Sequence, residues 1–181
     1  MTEDDGACSR SGTVHVDVEV VDGAWLSDLP GADDVVERAC TRALQVACSG
    51  EAVTVTVVMA DDRMLADLNG RWRRIDRPTD VLSFPSDDRS PGTRLRPPAG
   101  SPPGGDIALG DIVIARETVV DDASRLATAL TDHLSHIAVH GTLHLLGYDH
   151  ETDADAGVME AMERVVLKTL GISDPYLSDT M

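Results

Sequence analysis

The chain has 181 residues, 42% of them hydrophobic, with 32 acidic against 15 basic side chains and a net charge of −17. That length supports one domain with a real core and not two, and no run approaches the roughly 18 apolar residues a membrane helix needs. The N-terminal MTEDDGACSR is acidic where a secretory signal would be basic and then apolar, which argues for a soluble, cytoplasmic protein without membrane attachment.

Residues 1–12 are polar, acidic and aperiodic, which predicts a disordered tail, followed by a single domain over 13–172 and a C-terminal tail at 173–181. Val14, Val16, Val18 and Val20 alternate with His15, Asp17 and Glu19, the period of a half-buried strand. Val35, Val36, Ala39, Ala43, Leu44 and Val46 recur at helical spacing and predict a helix over 32–48, closed by Gly50. VTVTVVM, 53–59, is rich in β-branched residues and reads as a second strand. Asp61 and Asp62 suit the N-terminus of a helix that carries Met64, Leu65 and Leu68 and ends near Gly70. DVLSFP, 80–85, is a short third strand stopped by Pro85, and GDIVIA, 110–115, is a fourth. Between them lies SDDRSPGTRLRPPAGSPPGG, 86–105, in which nine of 20 residues are Pro or Gly; it cannot bury enough apolar surface to order itself and is expected to be a flexible loop. Residues 116–128 are moderately helical, a strongly apolar helix follows over about 131–146, and an amphipathic helix over about 153–170 carries Val158, Met162, Val165, Val166 and Thr169 on one side. Thr152 and Asp155 resemble a capping box at its start. The sum is an α+β domain with about four strands and about five helices.

Cys8, Cys40 and Cys48 are odd in number and lack a C-x-x-C spacing, so they read as buried or idle thiols. The acidic balance disfavours nucleic acid in general, because binding it draws on neutralisation of phosphates. Yet Arg63, Arg71, Arg73, Arg74, Arg77, Arg89, Arg94 and Arg96 all fall between positions 63 and 96, against five acids, and leave that window locally positive.

The chemistry concentrates in HGTLHLLGYDH, 140–150. On the apolar helix, His133, His136, His140 and His144 form a stripe within an arc of roughly 80°. His140 and His144, four apart, present two imidazoles on one face, and Gly147 can adopt the left-handed conformation that turns the chain back and brings His150 to the same point. Three neutral imidazoles leave a bound metal its full charge and an open coordination position, the arrangement of catalytic sites. Spacing alone does not separate zinc from nickel or cobalt. His136 reads equally as a residue supporting the ligands or as a core histidine, and His133 as exposed at the helix start. The frame H-x-x-x-H-x-x-G-x-x-H is also that of a metzincin protease, except that Gly141 stands where the protease carries its glutamate. Asp149 and Glu151 are the nearby carboxylates, Asp149 suited to orienting a ligand and Glu151 to the start of the next helix.

Together with LNGRWRRIDRPTDVLSFP (68–85) and LGDIVIA (109–115), the histidine block resembles the YbeY family of bacterial endoribonucleases that mature ribosomal RNA, over roughly residues 50–170. The resemblance implies a zincin-like α+β fold with a small mixed sheet, one zinc ion per chain held by His140, His144 and His150, and a single-strand-specific endoribonuclease acting in 16S rRNA 3′-end maturation and ribosome quality control. It implies ribosomal RNA and the small ribosomal subunit or its associated proteins as partners. The arginine of the family's L-N-x-x-[YW]-R segment falls on Arg73, which that resemblance links to RNA cleavage, with Arg71, Arg74 and Arg77 as neighbouring substrate-binding candidates. A guanidinium suits the task, since it can hold a phosphate bidentately and stabilise growing charge. A metallopeptidase and a non-enzymatic, metal-stabilised ribosome assembly factor are the alternatives.

Overall fold

The computed structural model describes residues 12–48, 50–97 and 105–177. The tail at 1–11, part of the 86–105 loop and the last four residues, together with Cys8, lie outside them.

Four strands form one mixed sheet: β1 (Val14–Val20), β2 (Val53–Ala60), β3 (Val81–Pro85) and β4 (Ile107–Ala115). Their order is β1-β2-β4-β3, with β1, β2 and β4 parallel and β3 antiparallel at the edge. The alternation seen in the sequence decides the faces. In β2, Val53, Val55, Val57 and Met59 are buried and point to the side covered by α2 (Ala32–Ala47) and α5 (Leu130–Leu145), where they meet Leu44, Leu134 and Leu143 in the main core. Helix α6 (Asp153–Thr169) packs against α2 and α5. The opposite face is covered at β3 and β4 by α3 (Asp62–Arg73), through a small cluster of Leu65, Leu82, Val113, Ala60 and Ala115. Helix α4 (Arg116–Arg125) leads from β4 into α5. No helix among the described residues is long and apolar enough to cross a membrane.

The expected elements are present, with four differences that have physical reasons. A sixth helix, α1 (Trp25–Asp28), is a single turn too short to show periodicity; Trp25 is fully buried and donates its indole N–H to the Ala60 carbonyl at 3.1 Å. Strand β4 begins at Ile107, three residues before Gly110. The pairing with β2 slips between Thr54 and Val55, so that Leu109 is the extra residue of a bulge and Gly110 takes φ +133°. Helix α3 runs through Gly70 to Arg73, and Arg74, at φ 60°, ends it. At Gly70 a Cβ would lie 2.9 Å from the carboxylate of Asp76, an exposed side chain that can move aside, so the helix passes through this glycine without depending on it. Helix α6 buries Met159, Glu163, Val166 and Leu167 and leaves Val158 and Val165 more than half exposed, a face rotated from the one its aliphatic residues alone suggest. Its start is as read: Thr152 accepts a hydrogen bond from the Asp155 amide at 3.2 Å. Cys40 and Cys48 are free thiols, both pushed up to about 11 by burial, which keeps them protonated and unreactive.

The Gly110 bulge is a sharp test of this register. A Cβ there would fall 2.1 Å from the Phe84 carbonyl of the neighbouring strand, at a φ that L-residues avoid. Gly110→Ala is expected to lower stability by more than about 2 kcal/mol, or roughly 4–8 °C in melting temperature, measured by thermal unfolding. A change below 1 °C would refute the bulge.

Candidate metal centre and active-site cleft

Helix α5 is buried nearly all round and its histidines are its principal polar residues, so their hydrogen bonds decide how they sit. His140 directs Nδ1 to the Glu163 carboxylate on α6 at 2.7 Å, and His144 directs Nδ1 to the Tyr148 carbonyl at 3.0 Å. Each Nδ1 therefore carries the proton, and each Nε2 is left with a lone pair. Those two Nε2 atoms face one another at 3.1 Å. Two lone pairs so close repel unless a cation lies between or beside them, so the pair is suited to share a cation. Burial, then the neighbouring His140 and His150, push His144 down to about 4, so it is neutral and able to donate at physiological pH.

His150 arrives by the predicted turn. Gly147 has φ +86°, and the His150 ring comes to 5.5 and 5.1 Å from the rings of His140 and His144, centroid to centroid. One donor atom from each of the three histidines lies within 4.8 Å of the others, so the set can hold a single ion. The turn is held from outside by a residue the sequence reading counted only as one of many arginines. Arg89 has a side chain just 8% exposed and donates to the Leu145 carbonyl at the end of α5 at 3.0 Å, and to the Ser86 hydroxyl at 3.3 Å. A cation there satisfies carbonyls that the helix end leaves without partners. The backbone beside it presses on the turn so closely that a Cβ at Gly147 would lie 2.2 Å from the Arg89 carbonyl.

Behind the pair stands Glu163, fully buried, which the sequence reading missed. Burial alone would raise its carboxyl, but hydrogen bonds with His136, His140 and Tyr176 outweigh that and hold it at about 2. His136 Nε2 lies 3.2 Å from Oε2, and the Tyr176 hydroxyl donates to the same oxygen. His136 thus supports His140 through the shared carboxylate. His133, expected to be exposed at the helix start, is buried instead, because α4 folds back against the first turns of α5.

The triad opens into a cleft of about 710 Å³ whose walls include Arg73, Asp80, Ser83, Arg89, Asp149 and Glu151. Of the predicted arginines, Arg73 faces this cleft. Arg71 lines a separate shallow groove along α3 with Asp61, Met64 and Leu68, and Arg74 and Arg77 stand exposed on the turn beyond α3, outside the cleft wall. Asp149 accepts from the His150 amide at 2.7 Å and so braces the segment that carries His150. Asp80, unremarked in the sequence, uses Oδ1 to accept from the Val81 amide at 2.8 Å and the Thr79 hydroxyl at 2.9 Å, which fixes its carboxylate at the cleft wall.

Comparison with known proteins places the chain in a family. Residues 27–171 match the family model described as Endoribonuclease YbeY. Proteins named Endoribonuclease YbeY from Parvibaculum lavamentivorans (42% identical over 176 residues, 94% of this chain and 90% of that protein) and Paramagnetospirillum magneticum (41% over 165 residues, 91% and 96%) are similar nearly end to end. One from Dinoroseobacter shibae is 40% identical over 168 residues, 89% of this chain and 90% of that protein. A solution structure from Thermotoga maritima aligns over 93% of this chain and 98% of its own, with a TM-score of 0.47 and 21% identity. By the span of the family match and the identity to these relatives, the chain belongs to the endoribonuclease YbeY family.

Proposed function

We propose that the chain is a metal-dependent, single-strand-specific endoribonuclease that hydrolyses RNA phosphodiester bonds in 16S rRNA 3′-end maturation and ribosome quality control, in the cytoplasm and in association with the small ribosomal subunit or its proteins. The observation that carries this reading is the opening of a three-histidine donor set into the same cleft as Arg73. His140, His144 and His150 are the proposed ligands of one ion, and three neutral imidazoles with an open position suit zinc. What a bound zinc ion supplies there is positive charge against a phosphate oxygen and a lowered pKa for water.

The remaining work falls to the chain. Arg73 holds a non-bridging phosphate oxygen pair and stabilises the charge that grows there as the bond breaks. Asp80 accepts a proton from the attacking water in this reading, which is supported by its carboxylate standing in the cleft wall with one oxygen bonded to the Val81 amide. Glu163 keeps His140 in the tautomer that offers Nε2, and Tyr148 does the same for His144 through its carbonyl. Arg71, Arg74 and Arg77 contribute positive charge along the approach to the cleft.

Three outcomes test this. His144→Ala is expected to lose the metal, read by elemental analysis of the purified protein, together with cleavage of single-stranded RNA. Arg73→Ala is expected to keep the metal and to lose roughly 10²–10³ in kcat; if both variants cut RNA at the parent rate, the assignment fails. Glu163→Gln leaves the ligands in place and is expected to weaken metal affinity about 10- to 100-fold in a competition titration with a chelator; unchanged affinity would mean that the carboxylate serves packing alone.

A further inference from the structure

Trp72 lies on the last turn of α3 and is 72% exposed, whereas Trp25, the other tryptophan, is fully buried. Its ring is met at an edge by Phe84 of β3, with centroids 6.0 Å apart and planes at 61°, which steadies the indole and leaves much of it to solvent. Around it in sequence stand Arg71, Arg73, Arg74 and Arg77. Among the described residues none of these four has a carboxylate within ion-pair distance, although the chain carries 32 acidic side chains. An exposed indole among unpaired guanidinium groups, on an otherwise acidic molecule, matches one ligand chemistry well: bases that stack and phosphates that pair.

Resting on the endoribonuclease reading, we propose that Trp72 is a stacking platform for a nucleobase of single-stranded RNA next to the phosphate held by Arg73. Continuity with the cleft favours RNA over a protein occupant. Arg73, the next residue, lines the cleft; on β3, Phe84 lies under Trp72 while Ser83 and Pro85 form cleft wall. A strand crossing the β3 edge therefore meets Arg73 with a phosphate and Trp72 with an adjacent base. A duplex cannot make this contact, because its bases are already paired and stacked, so Trp72 contributes to the preference for single strands. Trp72 is a positioning residue that does not touch the reacting atoms.

The two tryptophans make the test direct, since emission from solvent-exposed indole reports Trp72 and acrylamide-resistant emission reports Trp25. Titration with a 2′-O-methyl single-stranded oligonucleotide should quench the exposed emission saturably, and an oligonucleotide of equal phosphate number with abasic sites should quench it far less. Trp72→Leu should raise KM for single-stranded RNA by about 5- to 150-fold with kcat little changed, and Trp72→Phe should recover most of it. Retained acrylamide-resistant Trp25 emission shows that the variants are folded. Equal quenching by the abasic oligonucleotide, a parental KM in Trp72→Leu, or self-association of the parent that Trp72→Leu abolishes would each overturn the stacking role while leaving RNA cleavage intact. If the parent neither binds nor cleaves single-stranded RNA, the endoribonuclease reading falls and this inference with it.

Discussion

A buried carboxylate organises the molecule. Glu163 sits with no solvent access on α6, where a lone negative charge would be strongly destabilising, and it persists because His140, His136 and Tyr176 all direct polar atoms to it. Meeting those partners fixes how α6 lies along α5 and which way α5 is rotated. It also sets the proton of His140 on Nδ1, so the ring's remaining lone pair faces His144. The packing of two helices and the readiness of the donor set are thus consequences of the same interaction.

Helix α5 is fixed from its other side by Gly141. A Cβ there would lie 3.0 Å from Ile112 and 3.2 Å from Val81, and the Gly141 carbonyl accepts a hydrogen bond from Ser83 at 3.0 Å. The position that carries the catalytic glutamate in a metzincin is pressed against the sheet, where a long charged side chain has no room. Gly141 thus packs closely on the sheet, and the site is built without a base at that position of the helix. Its cleft carboxylates come from Asp80, just before β3, and from Asp149 and Glu151 after Gly147 instead, which separates this chain from the peptidases whose histidine spacing it shares.

Much of this was legible in sequence because local rules and tertiary structure agree. The strands announced themselves by alternation, and His140, His144, Gly147 and His150 by a spacing that only a helix and a left-handed turn can reconcile. What escaped notice depended on neighbours far along the chain. Glu163 interrupts an apolar stripe, so α6 read as if its buried face ran through Val158 and Val165; an acid four residues after Met159 and three before Val166 was the available signal. Gly70 read as a helix end because glycine commonly ends a helix, whereas the left-handed residue that ends α3 is Arg74. Arg89 could not be told from the other arginines, since what sets it apart is the end of α5, 56 residues away.

The charge distribution completes the argument. At −17 overall, the molecule repels a polyanion at long range, but in cellular salt that repulsion is screened beyond about 8 Å and the local surface decides. Some acids elsewhere are paired with arginines, as Asp22 and Asp28 are with Arg116 at 2.5 and 2.8 Å, or serve as helix caps, as Asp61 does for Met64 at 2.9 Å. At the end of α3 the guanidinium groups of Arg71, Arg73, Arg74 and Arg77 form no ion pair among the described residues. On the proposed reading, an acidic body with a small cationic edge binds weakly to nucleic acid at large and retains RNA where a phosphate reaches that edge. Discrimination then rests on the geometry of a few residues around the histidines, which the buried carboxylate of Glu163 helps hold in place.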